Sequence, residues 1–163
     1  MKKEKMNDKG FSLVELIIVI AIMAVLVVVL APQYLKYVER SRNSTDLQNA
    51  TSVVTACQVY AADPEANPNF QEGGFKVTVS SSGATVGAGT GTDMSAAANA
   101  ALTSAGISTT DLKCKSKTKW TQYTIVGTIS STGEISFDYE CDKGTAFKDA
   151  MAGNTTTPSG AGS

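Results

Sequence analysis

Hydrophobic and polar positions divide this chain into unlike stretches. From Phe11 to Ala31 the 21 residues are apolar except for Ser12 and Glu15, and Glu15 is the one charge among them. As a helix this run spans roughly 30 Å, enough to cross the hydrocarbon core of a bilayer. Its Ile and Val residues are mediocre helix formers in water, but lipid offers no partner to a free backbone group and enforces the helix. Pro32 removes one amide donor and crowds the carbonyl of Val28, so a kink or local melting is expected there. Tyr34 and Tyr37 suit a membrane interface, and Lys36, Glu39, Arg40 and Arg42 mark emergence into water. Beyond them Leu47, Ala50, Val54, Cys57 and Ala61 recur at spacings of three and four, and Val53 and Tyr60 widen the stripe. Asp46, Gln48 and Gln58 lie off it on this reading. Asp63-Pro64 ends the pattern, so one helix of about fifty residues is predicted, half apolar all round and half amphipathic.

The amphipathic half must lie against something, most simply a sheet. Residues 64–74 read as a loop, and Phe75–Ser80 alternates as a short strand. Ser81–Thr92 reads as a solvated loop. Its Gly87, Gly89 and Gly91 are not followed by the Gly-Lys-Ser/Thr of a phosphate loop. Asp93–Ala105 predicts a short Ala-rich helix, capped by Asp93 or Ser95 and stopped by Gly106. In the last third Ile135, Phe137, Tyr139 and Cys141 share one face of a strand, and Glu134, Ser136, Asp138, Glu140 and Asp142 the other. Tyr123, Ile125 and Ile129 line a matching face, with Gly127 a bulge or a close-approach point and Ser130–Gly133 the hairpin turn. The fold class is therefore α+β: a long amino-terminal helix packed on a small antiparallel sheet.

Charge and composition narrow the chemistry. The chain has no histidine, which removes Ser-His-Asp and Cys-His catalysis and His-ligated zinc. No enzymatic activity, cofactor or metal is expected. The alternating Lys113, Lys115, Lys117 and Lys119 read as the solvated face of a strand; four lysines without interleaved aromatics are a weak nucleic-acid signal. Their sharper reading is a contact for DNA, an acidic surface or a neighbouring subunit. Asp138, Glu140 and Asp142 diverge along one strand, whereas calcium wants six to eight converging oxygens. Three cysteines, Cys57, Cys114 and Cys141, leave one unpaired if an oxidising compartment bridges two.

In front of the apolar run stand Lys2, Lys3, Lys5 and Lys9, which by the positive-inside rule hold the amino end in the cytoplasm. A secretory signal would have a shorter apolar core, and its cut after Ala31 would set Pro32 against the peptidase. A plain single-pass anchor has no use for Glu15, a carboxylate costing about 3 kcal/mol or less in a span. Basic leader, Gly10, Phe11, Ser12-Leu13-Val14-Glu15 and the apolar run, in that order, resemble the class III signal of type IV pilins.

The resemblance covers residues 1 to about 35 and the helix beyond. It implies cleavage between Gly10 and Phe11 by prepilin peptidase, N-methylation of Phe11, and an assembly role for Glu15. It implies a proline-associated unwinding at Pro32 in assembled filaments. A carboxyl-terminal disulfide in many pilins points to Cys114–Cys141. A continuous strand from 114 to 130 would instead set Cys141 near Gln122, leaving Cys57 as a partner for either or as a plain buried thiol; no bridge at all is also open. Residues 1–10 are then a leader, 11–35 the transmembrane and filament-core helix, 36–151 the head and 152–163 a flexible tail. Losing the leader takes the net charge from −1 to −3.

Partners implied are identical subunits in a helical homopolymer, prepilin peptidase, an inner-membrane assembly platform with its ATPase, and the membrane before assembly. Nucleic acid is not expected. The location implied is the cytoplasmic membrane first and the extracellular pilus afterwards. A major pilin is preferred over a type II secretion pseudopilin or a competence pilin, because Glu15 is present and the head is sizeable. The reading from a different class is a membrane-anchored surface binding protein that never polymerises.

Overall fold

The computed structural model describes residues 12–153. The predicted cut between Gly10 and Phe11, and all but the first two residues of the predicted tail, lie outside the described residues. The chain divides between Val38 and Glu39 into two compact units.

Helix α1 (Leu13–Ala61) is one continuous helix of 49 residues with Pro32 inside it. The local melting expected at the proline is not seen in the single chain. Sheet strands β1 (Gly73–Ser80), β2 (Gly83–Ala88), β3 (Tyr123–Ile129) and β4 (Ile135–Cys141) are joined in the order β2-β1-β3-β4, every neighbour antiparallel. Helix α2 (Ser95–Ser104) follows β2, and α3 (Ala146–Met151) follows β4.

Strand β2 corrects the loop expected over Ser81–Thr92. Gly83-Ala84-Thr85-Val86-Gly87-Ala88 holds few good strand formers, so local propensity is silent. Register with β1 supplies the structure, from Phe75 opposite Ala88 to Ser80 opposite Gly83. Helix α2 forms where the Ala-rich pattern predicts it. Asp93 accepts from the Ser95 amide at 2.8 Å, and Gly106, at φ +74, ends the helix as Ile107 N–H returns to the Leu102 carbonyl at 2.9 Å.

The head core joins one face of α1 (Ala50, Val53, Ala56 and Cys57) to the inward residues of the sheet (Phe75, Val77, Val79, Tyr123, Ile125 and Ile129). Helix α2 adds Ala97, Ala98, Ala101 and Leu102. Helix α3, not foreseen in the sequence, inserts the fully buried Phe147. Its ring stacks on Tyr123 at 4.3 Å between centroids and meets Trp120 edge-on at 5.1 Å.

Gly127 is a close-approach point and not a bulge, because the β3 register runs through it to both neighbours. A Cβ there would lie 2.2 Å from Cζ of Phe75, whose ring is wholly buried and packs against Phe70 and Phe137. Gly127→Ala is expected to cost about 2–3 kcal/mol by overpacking. Denaturation of the full chain in detergent measures it, and adding Phe75→Leu should recover part of the loss.

Candidate functional site

In the amino-terminal unit, Ser12 and Glu15 form the start of α1. Ser12 stands at the N-cap and Glu15 three residues later, and the Glu15 carboxylate accepts the Ser12 backbone N–H at 3.0 Å. This is the return half of a capping box, whose Ser-x-x-Glu signature is written in residues 12–15. Glu15 therefore has a structural task in the single chain, besides any part in assembly.

The large apolar side chains that follow, from Leu13 to Leu30, are each 48–74% exposed. The helix is long and apolar enough to cross a membrane, and none of its most apolar window is buried within the chain. A surface of that kind is covered in use by lipid or by other protein.

In the second unit, two carboxylates of α1 organise a loop that the sequence misplaces. Residues 113–119 are not a strand; they are an irregular segment whose backbone is consumed by the helix. Asp46 is fully buried and accepts Lys115 N at 2.7 Å, Ser116 N at 2.8 Å and Trp120 Nε1 at 2.9 Å. The Cys114 thiol donates to it as well, at 3.4 Å. Two turns earlier Glu39 Oε1 accepts Lys117 N at 2.7 Å, Thr118 N at 2.8 Å, and the hydroxyls of Ser116 and Thr118 at 3.0 and 2.9 Å. Asp46 is thus on the buried face, not off it as the sequence pattern suggested. Positions 46, 50, 53 and 57 form one stripe, and that spacing could have flagged it.

The far end of the loop is tied down too. Asp142 accepts Thr121 N at 2.9 Å, the Thr121 hydroxyl at 2.6 Å and Gln122 N at 3.2 Å, while Lys143 Nζ reaches the Thr118 carbonyl at 3.3 Å. Asp138 pairs instead with Lys148 at 2.7 Å. Asp138 and Asp142 are thereby drawn to different partners, and among the described residues no three metal-ligating side chains converge.

Burial by itself would raise the Glu39 carboxyl, but the hydrogen bonds from Lys117, Thr118 and Ser116 outweigh it and bring its pKa down to about 2. Its folded value lies below its unfolded one. The stability it contributes is therefore complete above the unfolded value of 4.5 and is lost as pH falls towards about 2. Glu39→Gln is expected to remove this part of the acid sensitivity, lowering stability at neutral pH by about 1 kcal/mol while flattening the profile below it. Melting curves of the two full-length proteins across that range measure it.

All three cysteines stand as free thiols, Cys57 and Cys114 buried and Cys141 half-buried, so none of the pairings left open by the sequence is formed in this structure. Burial pushes Cys57 up to about 12. Burial and the Asp46 charge do the same to Cys114, so both are protonated and poorly nucleophilic near neutrality.

The family model described as the prokaryotic N-terminal methylation motif matches residues 5–31. Type IV major fimbrial protein FimA of Dichelobacter nodosus is 37% identical over 59 residues, which cover 36% of this chain and 38% of that protein. The matched part is well under half the length of that relative. No solved structure matches this chain. The chain thus carries the prokaryotic N-terminal methylation motif, leading into an exposed apolar helix, together with an α+β arrangement built on a four-stranded antiparallel sheet, and it is similar over 59 residues to a type IV fimbrial protein.

Proposed function

We propose that this chain is the structural subunit of a type IV pilus. It is cut between Gly10 and Phe11 and N-methylated at Phe11. It is held in the cytoplasmic membrane by the apolar half of α1 and polymerised through that helix into surface filaments for adhesion, motility or biofilm formation. The observation that carries this reading is the methylation motif running into an apolar helix surface that nothing among the described residues covers. Lipid is its first solvent and neighbouring copies of the same helix its second. The relative's description as a major fimbrial protein favours the main subunit over a pseudopilin.

Catalysis has no part in this reading. Processing belongs to prepilin peptidase, and extraction to an inner-membrane platform driven by an ATPase. Mass analysis of the amino terminus of protein recovered from cells tests the proposal. Methyl-phenylalanine at Phe11 is the expected result. An intact Met1 overturns it in favour of a plain anchored surface protein.

A further inference from the structure

The lysines of the 113–119 segment are placed by their own backbone. Lys115 N and Lys117 N donate into Asp46 and Glu39, so the side chains of Lys115, Lys117 and Lys119 are left exposed. Lys143, also exposed, is attached to the same loop through Thr118, and Arg40 stands exposed beside Glu39 in the helix. The acids among them are engaged. Glu39 is surrounded by loop donors and Arg42, Asp46 is sealed in the core, and the exposed Asp142 holds Thr121 and Gln122. The result is a cationic loop fixed in place, with its aromatic, Trp120, turned inward and buried.

Its location is set by chain length. Glu39, which takes three donors of this loop within 2.9 Å, lies four positions after Leu35, the last leucine before it. Four residues span about 14 Å at most, and about 6 Å as helix, whatever the angle between the two units. The polar layer of a bilayer is about 5–8 Å deep on each side, and a lysine extends its charge well beyond its backbone.

We infer that this loop is a lipid-headgroup contact. Lys115, Lys117 and Lys119, with Arg40 and Lys143, rest on anionic phospholipid at the outer face of the membrane and leave it when the subunit polymerises. The inference rests on the membrane-resident stage proposed above. Nucleic acid fits less well, because the aromatic of the loop itself, Trp120, is buried and the short tether keeps the lysines within reach of the headgroups.

The test uses the full chain in lipid nanodiscs of phosphatidylcholine alone or of an equimolar mixture with phosphatidylglycerol. Lysine acetylation rates are read residue by residue by mass spectrometry. Anionic discs should slow acetylation of Lys115, Lys117, Lys119 and Lys143 by roughly fivefold, and high salt should reverse it, while Lys76 and Lys148 are unaffected. Lys115→Gln, Lys117→Gln and Lys119→Gln combined keep the backbone hydrogen bonds and should abolish the lipid effect at Lys143.

Equal rates in the two kinds of disc overturn the inference. Protection by duplex DNA in phosphatidylcholine discs, with no lipid effect, overturns it in favour of nucleic acid. Protection that grows only with the number of chains per disc overturns it in favour of a second copy. A chain that does not enter discs overturns the membrane-resident reading as well, whereas a chain that enters with unprotected lysines overturns this inference alone.

Discussion

Glu15→Ala is expected to yield a chain that is made, inserted and processed but scarcely polymerises. After cleavage Phe11 would carry an α-amine with an unperturbed pKa near 8, still mostly cationic once methylated. In a filament core the Glu15 carboxylate of one subunit can pair with that amine of a neighbour. Attraction at low dielectric is large, but desolvation of both charges nearly cancels it, so the pair acts on register and recruitment more than on net affinity. Deleting one partner leaves the other buried and alone, at about 3–5 kcal/mol for each subunit added.

The structure complicates this single variant, because Glu15 also closes the capping box on Ser12 and its loss frays the helix start by about 1 kcal/mol. Glu15→Gln separates the two effects: glutamine can serve the cap but carries no charge. Electron microscopy of sheared surface material should show filaments from the parent and few or none from either variant. Normal filaments from Glu15→Gln would mean that the cap, and not the ion pair, is what assembly needs.

The second large effect is on the head itself. Asp46→Ala is expected to destabilise it by about 3–5 kcal/mol. The change strands Lys115 N, Ser116 N and Trp120 Nε1, whose acceptor is wholly buried. Against a typical domain stability of about 5–15 kcal/mol, that is a large share. Asp46→Asn should fall between, since it keeps one acceptor oxygen but turns an amide donor towards other donors. Trp120 is the only tryptophan and donates directly to Asp46, so its fluorescence during urea unfolding of the full chain in detergent reports both the global transition and the loop. Unchanged midpoints would show that water replaces the carboxylate without loss.

The α1 helix, its end near Asp63, the β3–β4 hairpin and the inward faces of both strands were legible because each has a strong local period. An apolar run, a heptad-like stripe and strict alternation are written in consecutive residues. The methylation signal was legible for the same reason, with charge, small residue, acid and span in a fixed order. Three features were not. Strand β2 is weak by propensity and exists through its pairing with β1. Alternation over Lys113–Lys119 imitated a strand, yet those residues are an irregular loop whose amides are taken by side chains far away in sequence. Helix α3 is short and is held by the stacking of Phe147 on Tyr123.

Asp46 shows most clearly where the division falls. A charged residue reads as solvent-facing because burying a carboxylate alone is costly. The fold buries it nonetheless, because a segment about seventy residues later brings the donors that make the burial tolerable. By itself, then, the amino-acid order determined the spine, its signal and the hairpin, all set by short-range periodicity. Only the tertiary structure decided which carboxylates of the spine hold the head together, because that depends on partners brought in from elsewhere along the chain.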